Sequence, residues 1–422
     1  MERRRTAAPR RLLPGLLVAL SWIIPGSVAA AATPAGTLDP AFGNGGTVTT
    51  SFGGESDAGG LAMRSGRIAL AGTLNGFSEP DIGLAVFTAA GELDRTFSRD
   101  GRAVLGFDRN GNRDDSGFDA DVTKAGKVVV VGRSSGDAVV VRWTARGKID
   151  KGFGTNGKVR LDFGGTEELR AVTVRRDGSI VAVGDGGSAG NRPLLVKLLA
   201  DGTPDPAFGG GDGWVLAGAS NAVVIRGLAV RKGIITAVGR IQATVGSDAL
   251  IIRWTSTGAP DGTFSGDGVL VDDLGADFDE LFDVAVDGQG RAIAAGRTGS
   301  DLAVVRYLMS GSRDAAFGGG DGLSAITVGT SSARASGIAL QADGKIVAAG
   351  ASLDGFDLQD HLVVRLRAGG APDPSFSGDG IKRLSFTGSG NDAAVGVEIS
   401  SKGRIVVGGV AGAGIALTGL RG

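Results

Sequence analysis

The chain has 422 residues, a formal charge of −1, 76 glycines and 42% hydrophobic residues, of which few are aromatic. It holds no cysteine and one histidine, which excludes disulfides, thiolate chemistry and a histidine-built zinc site. Abundant glycine without a collagen period, set among runs of valine and isoleucine, points to short strands joined by many tight turns.

The first element in chain order is a targeting segment. Arg3, Arg4, Arg5, Arg10 and Arg11 precede the apolar run LLPGLLVALSWIIPG, and small residues, SVAAAATPAG, follow. This is the layout of a secretory signal over residues 1–31, with cleavage near Ala29 to Ala31. The apolar run is short for a permanent anchor and carries Pro14 and Pro25. Residues 32–422 are then the mature chain, expected to be secreted or periplasmic and monomeric. No other run is long and apolar enough to span a bilayer as a helix. The mature part is acidic and has no basic stripe, which argues against a nucleic-acid partner.

From residue 38 onward one unit recurs seven times. LDPAFGNGG returns as LDRTFSRDG, IDKGFGTNG, PDPAFGGGDG, PDGTFSGDG, RDAAFGGGDG and PDPSFSGDG. Its phenylalanines are Phe42, Phe97, Phe153, Phe208, Phe264, Phe317 and Phe376, each with an aspartate three residues earlier, from Asp39 to Asp373. A second signature pairs glycines six residues apart around an apolar run: Gly66 with Gly72, Gly126 with Gly132, and so on to Gly403 with Gly409. A glycine, a short branched apolar run and a second glycine read as a turn, a buried strand and its exit. Each copy thus resolves into four strands in about 55 residues, the pattern of a propeller blade. The predicted fold is all-β: a seven-bladed β-propeller with four antiparallel strands per blade, forming one domain.

The Gly-x-x-Asp-x-x-Phe-Gly turn, the Asp343 to Gly350 hairpin (DGKIVAAG) and strands ending in arginine, such as LVVRLR, resemble the delta-60 repeat family of bacterial secreted proteins. The resemblance covers roughly residues 36 to 421 and implies a propeller-like array. It implies no particular activity.

The aspartate of the repeated motif is expected to accept backbone hydrogen bonds in its turn, and the phenylalanine to fill the gap between blades. Four copies add an aspartate and an arginine five residues apart, Asp137 with Arg142 through Asp360 with Arg365. These are expected to reach neighbouring blades as surface ion pairs of little energetic weight. In a ring of up-and-down blades the repeated turns share one face and the variable loops the other, so binding belongs on the variable face. Two loops there are acidic. In one, Asp108, Asn110, Asn112 and Asp114 alternate as oxygen ligands for calcium would, although Arg113 and the lack of flanking helices depart from a helix–loop–helix site. In the other, Asp272, Asp273, Asp277, Asp279, Glu280 and Asp283 cluster.

Catalytic signals are sparse. His361 would have to serve any Ser-His-Asp triad and reads instead as an exposed loop residue, and no spacing singles out a carboxylate pair. The expected function is a non-catalytic scaffold that binds a protein partner or surface glycan through its variable acidic loop face. The alternative is a calcium-dependent hydrolase on a propeller frame, similar in plan to propeller phytases. That reading wants basic residues beside the acids, and the acidic loops supply only Arg109 and Arg113.

Overall fold

A computed structural model describes residues 34–422, apart from 76–79, 108–113, 188–190, 219–221, 330, 354–358 and 387–390. The segment read as a secretory signal and most of the first acidic loop lie outside the described residues. Among the described residues there are seven four-stranded antiparallel sheets, and the only helix is a three-residue 3-10 turn, Gly209–Gly211. The sheets are the blades of a seven-bladed propeller.

Blade 1 shows the plan. An inner strand, Glu55–Arg64, turns into Arg67–Asn75, which pairs with Asp81–Thr88 and then with an outer strand, Arg102–Leu105. The inner strands of the other six blades are Asp115–Val122, Glu168–Val174, Val223–Arg231, Asp279–Val286, Ala333–Leu340 and Asp392–Ile399. Blade 7 is composite: its outer strand is Thr47–Thr50, from the beginning of the array, paired with Gly414–Leu420. The two ends are further stitched by Gly36 N–H to the Arg421 carbonyl at 2.8 Å and Arg421 N–H to the Thr37 carbonyl at 3.0 Å.

Both signature glycines have a physical cause. The first of each pair, such as Gly126 (φ 75°) and Gly344 (φ 83°), occupies the left-handed region that the hairpin turn requires. The second faces the inner strand where that strand bulges: a Cβ on Gly132 would collide with the carbonyl oxygen of Ser116, and one on Gly350 with that of Arg334. Hydrophobic packing lies between blades. Seven core clusters each join two neighbouring blades, and each contains one motif phenylalanine with no exposed surface. The aromatic ring is the plug that closes each interblade gap, as the motif implied.

Candidate functional site

The repeated-turn face is occupied by structural clips. The motif aspartate accepts a backbone N–H two residues on in six copies, for example Ala316 N–H to Asp314 at 2.9 Å and Ala207 N–H to Asp205 at 2.9 Å. In the seventh, Asp150, the carboxylate takes Lys127 and Arg142, each at 2.8 Å. Arg142, Arg253, Arg306 and Arg365 are not the surface ion-pair partners their spacing suggested. All four are buried, pair with the motif aspartates Asp150, Asp261, Asp314 and Asp373, and lie over the motif phenylalanine with 4.3–4.9 Å to the ring centroid. The expected interblade reach is there: Arg253 Nη1 bonds the Met309 carbonyl at 2.9 Å and Arg306 Nη1 that of Ala368 at 2.6 Å. Lys197 substitutes in blade 3, and in blades 1 and 7 Arg67 and Arg404, at and just before the start of the second strand. Because every copy uses this chemistry, the face is committed to holding the ring.

The opposite face opens into a central channel. Every inner strand carries a β-bulge at the equivalent place, and the extra residue of each bulge lines the channel. In blade order these residues are Gly59, Phe118, Arg170, Arg226, Phe282, Ser336 and Val395. The channel encloses about 540 Å³. The bulge frees one side chain per blade from the ladder, so it is where seven copies of one frame can differ without disturbing the sheet.

Blades 2 to 6 place charge there. Moving around the mouth, Arg133 lies 3.7 Å from Glu168, and Glu168 also holds Arg170. Arg170 stands 3.8 Å from Asp185 and covers the ring of Phe118 at 5.0 Å. Glu280 is buried among Arg226 at 2.9 Å, Arg240 at 3.4 Å and Arg297 at 3.6 Å. Arg226 and Arg334 flank the ring of Phe282, 5.6 and 6.0 Å from its centroid. Arg334 forms no ion pair with a described residue. Burial, and then repulsion from Arg297 and Arg226 only partly offset by Glu280, lowers its pKa. Burial and the neighbouring Glu168 raise the Asp185 pKa to about 6, against the pull of Arg170.

Deeper in the channel the charge changes sign. Asp119, Asp121 and Asp283 accept the backbone N–H groups of Val172, Val174 and Ile338, each on the next blade, at 2.7–2.9 Å. Encirclement by protein pushes their pKa values up, Asp283 to about 7 and Glu398 to about 8, and repulsion from Asp121 adds to the shift at Glu398. These carboxyls staple inner strands together and carry less negative charge near neutral pH than their number suggests.

The described residues of the second acidic loop do not gather at one point, and the first acidic loop lies mostly outside the described residues. Asp108, Asn110 and Asn112 lie outside the described residues, and Asp114 takes Arg133 Nη2 at 2.7 Å. In the second acidic loop, Asp272 binds Arg313 and the Tyr307 hydroxyl, and Asp279 is a buried acceptor for Leu274 N–H at 2.6 Å. Glu280 turns to the arginines and Asp283 to the channel. Asp115 and Glu167 repeat the buried-acceptor role of Asp279 where the chain enters blades 2 and 3. Carboxylate oxygens of Asp137, Asp162 and Glu167 come within 4.8 Å of one another, with Arg160 already bonded to Asp137. His361 is not an exposed loop residue. It has no exposed surface in the third strand of blade 6, Gln359–Leu366; its Nε2 bonds the Val410 carbonyl at 2.9 Å and burial lowers its pKa.

A seven-bladed propeller with a charged, blade-specific channel mouth is therefore the class of protein the structure defines. A family profile described as "Domain of unknown function (DUF5122) beta-propeller" matches residues 175–208 and 341–376, which supports a propeller repeat family. A search of curated protein sequences finds no match. Similar solved structures include a streptogramin B lyase (11% identity, TM-score 0.53, covering 89% of this chain and 98% of the other). A virginiamycin B lyase from Staphylococcus aureus is similar at 10% identity and TM-score 0.51, with the same coverage, and the RRP9 WD40 repeats at 11% and 0.50, covering 90% and 99%. At these identities the likeness is one of fold alone. No helix among the described residues is long and apolar enough to cross a membrane.

Proposed function

We propose that this chain is an exported, non-catalytic binding propeller that engages its partner, a protein or a surface glycan, through the channel mouth on the variable-loop face. One observation carries the reading. Positions that are equivalent in all seven blades hold the same clip chemistry on the repeated-turn face, but Phe, Arg, Ser, Val or Gly at the mouth. Variation on a rigid, repeated frame is how propellers and other scaffolds place recognition groups. Compared with the acidic surface that the loops alone suggest, the recognition groups here are strand-borne arginines and two phenylalanines.

The test compares three forms on panels of extracellular glycans and secreted proteins: the wild type, Phe282→Ala at the mouth, and Arg176→Ala in an exposed hairpin turn on the repeated-turn face. Binding lost with Phe282→Ala and kept with Arg176→Ala is the expected result; the reverse pattern would move the binding face. A calcium-dependent rise in melting temperature that Glu167→Gln removes would instead favour the calcium-dependent hydrolase considered as the alternative.

A further inference from the structure

We propose that the mouth over blades 4 to 6 is an oxyanion site, taking a small molecule or chain end that carries two or more carboxylate, phosphate or sulfate groups. The inference rests on the reading of the mouth as the binding face and adds the chemistry of what binds there. It begins with an imbalance. Arg226, Arg240 and Arg297 share the single carboxylate of Glu280, and Arg334 stands beside them without an ion pair to a described residue. Four guanidinium groups around one carboxylate leave a local excess of positive charge in a partly desolvated place, where like charges repel more strongly than in water.

The arginines are also held in place before any ligand arrives. Arg226 and Arg334 both lie over the Phe282 ring, 5.6 and 6.0 Å from its centroid, and Glu280, with almost no exposed surface, holds the other two. The Nε of Arg297 is buried and has no hydrogen-bond acceptor among the described residues, and the Nε atoms of Arg133 and Arg170, further round the same arc, share that condition. A planar guanidinium with unsatisfied donors pairs best with a flat or tetrahedral oxyanion, which can accept two parallel hydrogen bonds. Arg226 and Phe282 line the channel cavity of about 540 Å³, a volume in the range that small-molecule sites occupy. Below the arginines the channel wall carries the carboxyls of Asp119 and Asp283, which offer an anion no positive charge, so the arginines at the entrance are where it is held.

The experiment is titration calorimetry of the full mature chain with citrate, tripolyphosphate and sulfate at matched ionic strength. Saturable binding of at least one multivalent anion is expected, weakening as salt is added. Arg334→Met and Arg240→Met should each weaken it about tenfold or more, the scale of one charge-assisted hydrogen bond, whereas Arg176→Ala leaves it unchanged. Preference for citrate over tripolyphosphate, or the reverse, distinguishes a carboxylate ligand from a phosphate ligand. Absence of binding by all three anions overturns the proposal, as does binding that the mouth variants leave intact. Partner binding lost with Phe282→Ala alongside no anion binding would retain the mouth as the binding face and discard its anionic ligand. A melting curve for each variant that matches the wild type excludes misfolding as the cause of lost binding.

Discussion

The guanidinium of Arg253 lies 2.9 Å from the carboxylate of Asp261, with only 4% and 6% of their side-chain surfaces exposed. A buried pair of this kind adds little net stability over an apolar substitute, but removing one partner strands the other charge. Arg253→Met should therefore cost about 3–5 kcal/mol in urea denaturation. Arg306→Met should cost clearly less, because Arg291 also reaches Asp314, at 3.1 Å, and keeps that carboxylate paired. Equal losses for the two variants would show that the clip does not work by charge compensation.

Phe153 fills the gap between blades 2 and 3, and Arg142 lies 4.3 Å above its ring. Phe153→Ala is expected to cost about 3–5 kcal/mol, through lost apolar burial and the cavity left behind. A cost below about 1 kcal/mol, measured by denaturant midpoint, would mean that the gap collapses without the ring.

The channel carboxyls predict an unusual pH response. Asp283 and Glu398 titrate higher in the fold than in the unfolded chain, so the fold favours their protonated forms. Their contribution is fully present below the unfolded carboxylate range and is lost as pH rises through about 7 and about 8. The Asp283→Asn, Glu398→Gln double variant should thus be more stable than wild type at pH 8.5, by about 1–2 kcal/mol once screening by water in the channel is allowed for. The difference should shrink toward pH 5. The motif aspartates act in the opposite sense: Asp314 and Asp373 are held low, so their contribution is lost as pH falls through the lowered values.

Gly132 lies against the bulged part of its neighbouring strand. Gly132→Ala should be destabilising by about 1–3 kcal/mol or more, since the methyl group meets a backbone carbonyl that only a shifted strand can move. A far smaller effect is expected for Ala145→Gly, half-buried in a turn of the same blade. Thermal melts of the two variants check this.

The ring was legible in the sequence because every blade needs the same parts at the same interval: a Phe to plug, an Asp to hold the turn, a Gly at positive φ, and a Gly that lets the bulge form. The mouth was hard to read for the complementary reason. Its residues differ from blade to blade, and they lie inside strands, one step past the second glycine (Arg133, Arg240 and Arg297) or at the bulge itself (Arg170 and Arg226), and not in the loops where copies of a frame usually vary. Aligning the seven copies on the second glycine exposes the row Thr73, Arg133, Asp185, Arg240, Arg297, Ala351 and Val410, in which the arginines stand out. His361 misled because the strand that contains it begins two residues earlier, at Gln359, so burial and not loop exposure sets its character.

The composite blade has a consequence for how the molecule comes into being. Thr47–Thr50 pairs with Gly414–Leu420, so one of the earliest strands to be made waits for one of the last. Until then the final interblade cluster, built on Phe42, is open and two strand edges are bare, a state that invites pairing with another chain. Closure is a contact between nearly the most distant segments of the array, the kind that slows folding most. A circular permutant that begins between Leu105 and Asp115 would make the four strands of blade 7 consecutive in the chain and transfer the seam to the gap between blades 1 and 2. Its refolding rate and aggregation, compared with those of the natural order, would measure what closing the ring at its two ends costs.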